Sequence, residues 1–220
     1  MWLDLDFYAL TETCLDASVK LVIKHKGIIQ EIKASAFDSL LCNVTVDEPL
    51  YLEGYEILSG SEFVPLINVV RHKASGKKML KITSNAGELK VTEDHRVSIR
   101  FSDGVDDLYA IDLKVGMYLL PAIDISALLS YNEDDYMITN IEECDSTSDF
   151  VYDCETGNHH FSANGFYVHN CAQIPLDKLF KGGFSTGHGY LREPNSIQSY
   201  SALACIAIQS NQNDQHLKTA

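Results

Sequence analysis

From Cys14 onward the sequence is a succession of short β-rich runs, each cut off by turn residues, and this cadence constrains the fold most. Ser18–Ile23 and Gly27–Ile32 are separated by His25-Lys26-Gly27, a hairpin signal. Ala34–Leu41 reads as a short helix, and strands are expected at Asn43–Val46, Tyr55–Leu58 and Glu62–His72. Ser75–Lys78 and Asn85–Glu88 are turns that frame Met79–Thr83 and lead into Leu89–Thr92. Val97–Phe101 is followed by a turn at Asp103-Gly104. Asp124–Tyr131 reads as a short helix and Asn132–Asp135 as an acidic loop. Met137–Glu142 and Phe150–Asp153 are strands, and Asn164-Gly165 suits a tight hairpin before Phe166–Val168. Strands this short and this closely spaced favour an all-β domain over a parallel sheet with crossover helices.

The last of these runs ends in chemistry. VYDCETGNHHFSANGFYVHNC, Val151–Cys171, closes on His169-Asn170-Cys171. An Asn amide can attack its own backbone carbonyl, a neighbouring His can polarise that carbonyl, and the following Cys can carry an acyl group as a thioester. Such an ending calls for a second nucleophile upstream. Cys14, which opens CLDASVKLVI, is the candidate, and Thr92-Glu93-Asp94-His95 lies between the two. A thiol suits the task because its thiolate is accessible near neutral pH and strongly nucleophilic.

With these residues in view, the chain resembles an intein. Cys14 matches the family's first residue, Thr92 and His95 its T-x-x-H block, and Val151–Asn170 its carboxy-terminal blocks. The resemblance covers 157 residues, 14–170. It implies the compact, horseshoe-shaped all-β fold shared by inteins and hedgehog-type processing domains. It also implies that the Asn164-Gly165 hairpin brings His169 and Asn170 to the sheet end where the strand preceding His95 stops. Many inteins hold an endonuclease after the T-x-x-H block. Here only about 55 residues separate His95 from Val151, too few for a domain of usual size, and a minimal intein is expected.

The roles implied follow. Cys14 attacks the Thr13 carbonyl, exchanging amide for thioester. Thr92 hydrogen-bonds that peptide, and His95, with an ordinary pKa near ~6.5, gives a proton to the departing nitrogen. Cys171 takes the acyl group, Asn170 cyclises, and Thr13 ends joined to Cys171. His169 polarises the carbonyl under attack, His159 assists by proton transfer, and Asp153 tunes the Cys14 thiol and relays protons. His160 is a structural neighbour. Cys42, Cys144 and Cys154 are read as core or partly exposed thiols, and His25 and His72 as surface residues.

Composition agrees with a boundary at Asn170. Residues 14–170 carry a net charge of −12, whereas residues 171–220 carry +1. The acidic body disfavours nucleic-acid binding, which needs a basic surface. No apolar run reaches about 18 residues, and acids at Asp4 and Asp6 do not suit a signal peptide. Six scattered cysteines without a C-x-x-C pair fit reduced thiols in a cytoplasm. No metal or other cofactor is expected, and a monomer acting on its own flanks is.

The flanks read differently. Residues 1–13 are too short to fold alone. In 171–220, GFSTGHGYLREPNSI followed by SALACIAIQSNQNDQH resembles anaerobic, glycyl-radical ribonucleotide reductase, with helical spacing over Ile197–Gln209. That resemblance implies a fragment of a host enzyme, lacking most of its barrel and unable to reduce ribonucleotides. Two other readings stay open: a hedgehog-like domain that cleaves without ligating, and an inert insert in a reductase fragment. A Cys–His–Asn protease is possible from residue types but leaves the Asn-Cys bond unexplained.

Overall fold

A computed structural model describes residues 13–122 and 132–170, all within one compact unit. The expected helix at Asp124–Tyr131, the residues before Thr13 and everything from Cys171 onward lie outside the described residues. Among the described residues, fifteen strands and a few short helical turns make this an all-β unit.

The strands form two sheets. The larger runs β12 (Ile138–Cys144), β7 (Met79–Ser84), β8 (Gly87–Thr92), β1 (Leu15–Asp16), β13 (Phe150–Thr156), β6 (Glu62–Lys73), β5 (Tyr55–Ser59), β2 (Lys20–His25) and β3 (Ile28–Lys33), with β4 (Leu50–Tyr51) also on β6. The smaller runs β10 (Gly104–Tyr109), β9 (Arg96–Phe101), β15 (Phe166–His169) and β14 (His160–Ala163), with β11 (Tyr118–Leu119) also on β9. A single core joins them: Leu15, Val91 and Val69 of the larger sheet pack in the same cluster as Val97, Phe161 and Phe166 of the smaller.

Two features of this topology place the site. The first is β1, only two residues long yet inserted between β8 and β13, antiparallel to both. It is pinned by Asp16, whose fully buried carboxylate accepts from the Ser18 amide (2.9 Å) and hydroxyl (2.5 Å), the Thr147 amide (2.8 Å) and hydroxyl (2.5 Å), and the Ser146 hydroxyl (3.2 Å). Burial pushes this carboxyl up, but the hydrogen bonds from Ser18 and Thr147 outweigh it and hold it below its ordinary value. The second is the β14–β15 hairpin. Asn164 (φ 51°) and Gly165 (φ 83°) take the left-handed conformations of a two-residue primed turn, which sets His160 opposite His169.

Four expectations need correcting. The hairpin does not join the sheet of β8, the strand preceding His95. β15 pairs with β9, the strand that follows it, in the register His169 opposite Arg96. Asn43–Val46 is a run of turns, because the Val44 and Glu48 amides donate back to Leu41 (3.0 Å) and Thr45 (3.2 Å) carbonyls rather than across a ladder. His72 is buried, not on the surface; it sits on an inward position of β6 with Nδ1 2.8 Å from Asp47 Oδ1. The stretch expected as an acidic loop holds a 3₁₀ turn, Glu133–Tyr136, capped by the Asn132 side chain accepting from Asp134 at 3.3 Å.

Candidate functional site at the meeting of the two sheets

The amino-terminal half is built around the backbone of Cys14. Entering β1 between two strands buries Cys14 fully and Thr13 almost so. Thr92, the last residue of β8, grips the peptide from both sides. Its Oγ1 accepts from the Cys14 N–H at 2.8 Å, and its own N–H donates to the Cys14 carbonyl at 2.9 Å. The chain then turns tightly, with the His95 N–H donating to the Thr92 carbonyl at 3.0 Å. The T-x-x-H spacing is thus the span of one turn. It returns the His95 ring to the Thr13 backbone just after Thr92 has caught Cys14.

His95 is buried, and neither ring nitrogen makes a hydrogen bond of good geometry. Burial drives its pKa down to about 3; the Thr13 backbone pulls it up somewhat, and the nearby His169 lowers it further. Only an acceptor raises a base in this way, so the ring faces the Thr13 carbonyl. At neutral pH His95 is therefore an uncharged imidazole, unlike the near-neutral titrating group its residue type suggests.

Asp153 carries the opposite perturbation. β1 pairs with β13 in the register Leu15 opposite Tyr152 and Asp16 opposite Val151. Continued by one residue, this puts Cys14 opposite Asp153 on the same face of the sheet. Cys14 packs there against Val151 and Met79. Burial lifts the Asp153 pKa to about 8; Glu155 and Asp94 add to the rise, while the Cys154 N–H and Lys77 oppose it. This carboxyl keeps its proton at pH 7. Cys154, on the other face of β13, is buried and its thiol is pushed well up by that burial.

The carboxy-terminal half centres on Asn170, which is fully buried. Its backbone N–H donates to the His159 carbonyl at 2.9 Å. In the amide orientation that satisfies its surroundings, Nδ2 also donates to that carbonyl at 2.6 Å, and Oδ1 accepts from the Thr156 N–H at 3.0 Å. His159 has φ 65°, a left-handed conformation uncommon outside glycine and asparagine, and it follows a turn closed by its own N–H to the Thr156 carbonyl (3.3 Å). The turn supplies both Asn170 contacts: the Thr156 amide and the His159 carbonyl.

His169 lies beside this. Its ring stacks at 6.3 Å on His159 and meets His160 edge-on at 4.8 Å. Burial lowers its pKa to about 4; Asp107 pulls it up, and His160, Arg96 and His159 push it down. His160 is itself held in place: Nε2 lies 2.9 Å from Asp107 Oδ2, and Nδ1 3.2 Å from the Asn158 carbonyl. Ser98 donates to the second Asp107 oxygen at 2.5 Å. Asp107, His160 and His169 each bring one donor atom within 4.8 Å of the others, but Asp107 and His160 already spend theirs on each other, on Ser98 and on Asn158. It is a hydrogen-bonded cluster, not an open metal site.

The fold thus gathers Thr13, Cys14, Thr92, His95 and Asp153 in one group, and His159, His169 and Asn170 in another. The groups are near enough for the His169 charge to be felt at His95. Cys171 lies outside the described residues. Asp107 and Ser98 were missed by sequence reasoning. They face each other on β10 and β9, and nothing in a chain position ties Asp107 to a histidine 53 residues away.

Comparison with known proteins bears on both the unit and its flank. The transcription factor IIB Mvu mini-intein aligns with a TM-score of 0.60 at 25% identity, covering 71% of this chain and 99% of its own. An intein from a hyperthermophile aligns at 0.58 and 15% identity, covering 72% and 99%. The transcription factor IIB Mja mini-intein aligns at 0.52 and 23% identity, covering 71% and 99%. The anaerobic ribonucleoside-triphosphate reductase family matches residues 142–217, a range that starts in β12 and runs through the carboxy-terminal segment. No curated protein matches the chain.

Proposed function

We propose that this chain carries an intein and splices itself in a single turnover: residues 14–170 leave, and Thr13 is joined to Cys171. The Cys14 thiol adds to the Thr13 carbonyl and the Thr13–Cys14 amide breaks, leaving a thioester on sulfur and a free amine at Cys14. The Cys171 thiol then takes the acyl group and the proton returns to Cys14 sulfur. Asn170 Nδ2 attacks its own carbonyl carbon, forming a cyclic imide and releasing Cys171 with a free amine. That amine captures the acyl group from its own sulfur, and a normal peptide bond results.

One observation supports this reading above others: the two ends of a 157-residue segment are each held by the atoms their chemistry uses. At one end, the Thr92 hydroxyl at 2.8 Å holds the nitrogen that must leave. At the other, the His159 carbonyl at 2.6 Å draws on the Asn170 Nδ2 hydrogen that must be lost. Asp153, protonated at pH 7, is the acid of the amino-terminal step, and His95, uncharged, steadies the Thr13 carbonyl. His169, also uncharged, takes part as a neutral hydrogen-bonding group. The reaction is intramolecular, in a monomer acting on its own flanks, and calls on no cofactor or nucleic acid; thiol chemistry suits a reducing cytoplasm. Among the described residues no helix is long and apolar enough to cross a membrane.

Intact mass of freshly expressed protein, with and without reductant, tests the proposal. A 157-residue species with a 63-residue ligated product is expected. Asn170→Ala should abolish both while leaving thiol-induced release of residues 1–13. A cleavage-only domain would release that flank but never yield the ligated product. A single 220-residue species under every condition would refute splicing.

A further inference from the structure

His160 is held at both ring nitrogens by groups that can only accept. Nε2 faces the Asp107 carboxylate at 2.9 Å and Nδ1 the Asn158 carbonyl at 3.2 Å. Each nitrogen must then carry a hydrogen, and the ring is a cation. Its face is stacked on Tyr167, 5.0 Å away and within 5° of parallel. Tyr167 in turn shares a 3.1 Å hydrogen bond with Ser59, which accepts from the Asn158 side chain at 2.8 Å. Asp107 is fixed as firmly by Ser98, directly opposite on β9. This cage sets the charged ring perpendicular to that of His169, with centroids 4.8 Å apart and planes at 86°, straight across the β14–β15 ladder.

We propose that the Asp107–His160 pair positions His169 for the cyclisation of Asn170, fixing the plane of its ring and balancing the charge it meets. His160 is a positioning residue, acting through His169. The proposal rests on the splicing reading above and adds two residues to it.

The electrostatics run the same way. Burial pushes His160 down, but the hydrogen bond and charge of Asp107, with the Asn158 carbonyl, more than compensate and raise it. Burial likewise works against the Asp107 charge, and His160 and Ser98 overcome it to hold the carboxyl low. The charged groups around His169 are Asp107 on β10, His160 on β14, Arg96 on β9 and His159 just before β14, with His95 at the corner between the sheets. Asp107 favours a protonated His169; the three cationic or potentially cationic neighbours disfavour it. Remove His160 and Asp107 loses its counterion while remaining beside His169. The His169 pKa then climbs from about 4 toward neutrality.

The test uses the full chain with Cys14→Ala, in which only cleavage at Asn170–Cys171 proceeds, followed by intact mass from pH 5 to 9. The parent should lose little rate down to pH 5. His160→Asn should move the acid limb upward by about two and a half units, to the ordinary imidazole value near ~6.5, so that the ratio of variant to parent rate falls about tenfold further at pH 5.5 than at pH 8.5. A pH profile superimposable on the parent, or a uniform slowing at every pH, would overturn the proposal. Ring-nitrogen NMR of the unvaried His160 in the Cys14→Ala, Asn170→Ala chain covers the case of a variant that does not fold. A doubly protonated His160 at pH 7 supports the pair, and a neutral one overturns it. Should the parent fail to cleave at Asn170 at all, the splicing reading itself has failed, which the NMR state of His160 does not decide.

Discussion

Asp153→Asn should make the protein more stable while disabling it. In the unfolded chain this carboxyl titrates at its ordinary 3.8, whereas in the folded protein burial raises it to about 8. Between those values the unfolded state sheds a proton that the native state keeps. The sign is therefore opposite to that of a salt-bridged acid: stability falls as pH rises above 3.8 and levels off above about 8. Each pH unit in that window costs roughly 1.4 kcal/mol, so about 4 kcal/mol of potential stability has gone by pH 7. Asn is nearly isosteric and never ionises, so its curve lacks this slope. Urea unfolding of the Cys14→Ala, Asn170→Ala chain, with and without Asp153→Asn, at pH 4.5, 6 and 7.5 measures the gap. The gap should widen by roughly 1.4 kcal/mol per pH unit whatever constant offset the Asn amide brings. In the Asn170→Ala chain alone, Asp153→Asn should abolish thiol-induced release of residues 1–13. A gap that does not change with pH would refute the buried, protonated carboxyl.

Other substitutions separate the two halves of the site. Thr92→Val removes the 2.8 Å acceptor from a buried N–H, a loss of about 1–3 kcal/mol, and should slow thiol-induced amino-terminal cleavage roughly tenfold to a hundredfold while sparing cleavage after Asn170. His159→Gly keeps the carbonyl that holds Asn170 and relieves the φ of 65°, so cleavage after Asn170 should persist at a measurable rate; complete loss would assign the role to the ring. Asp16→Ala strips five hydrogen bonds of their acceptor, and thermal denaturation should show a loss of about 3 kcal/mol or more at pH 7. The folded pKa of Asp16 is depressed, so that difference should be present at pH 7 and shrink as the pH falls below about 4.

What the sequence discloses and what it hides divide along physical lines. Local signals were readable. Gly27, Asn164 and Gly165 take the positive φ values that their residue types favour, and the hairpins they close are the ones expected. T-x-x-H was readable because its geometry is one turn. Partnerships set by tertiary contact were not. Asn43–Val46 has strand-forming residues, yet the Asp47 N–H donates to the Arg71 carbonyl at 2.9 Å and the segment curls around β6. His72 lies among basic residues and still points inward, since β6 alternates regardless of the charge of its neighbours. Asp107 sits in an acidic pair, Asp106-Asp107, whose members look alike in sequence. Only register separates them, by placing Asp107 opposite Ser98.

Burial also inverts the usual division of labour between acid and base. By residue type, a carboxyl should be ionised at pH 7 and a histidine should be the group that gives up a proton. Here Asp153, with a pKa of about 8, holds the proton, while His95 at about 3 and His169 at about 4 hold none to spare. The inversion comes from one cause in all three, since removal from water penalises whichever form is charged. It leaves the amino-terminal step with an acid that does not need low pH and the carboxy-terminal step with an imidazole that does not need high pH. Both steps can then run near neutrality within one buried site. The exception is His160, whose partnership with Asp107 keeps one imidazole charged beside two that are not. Charge pairing, rather than burial, decides that ring, and that is why its removal should change the pH at which the second step fails.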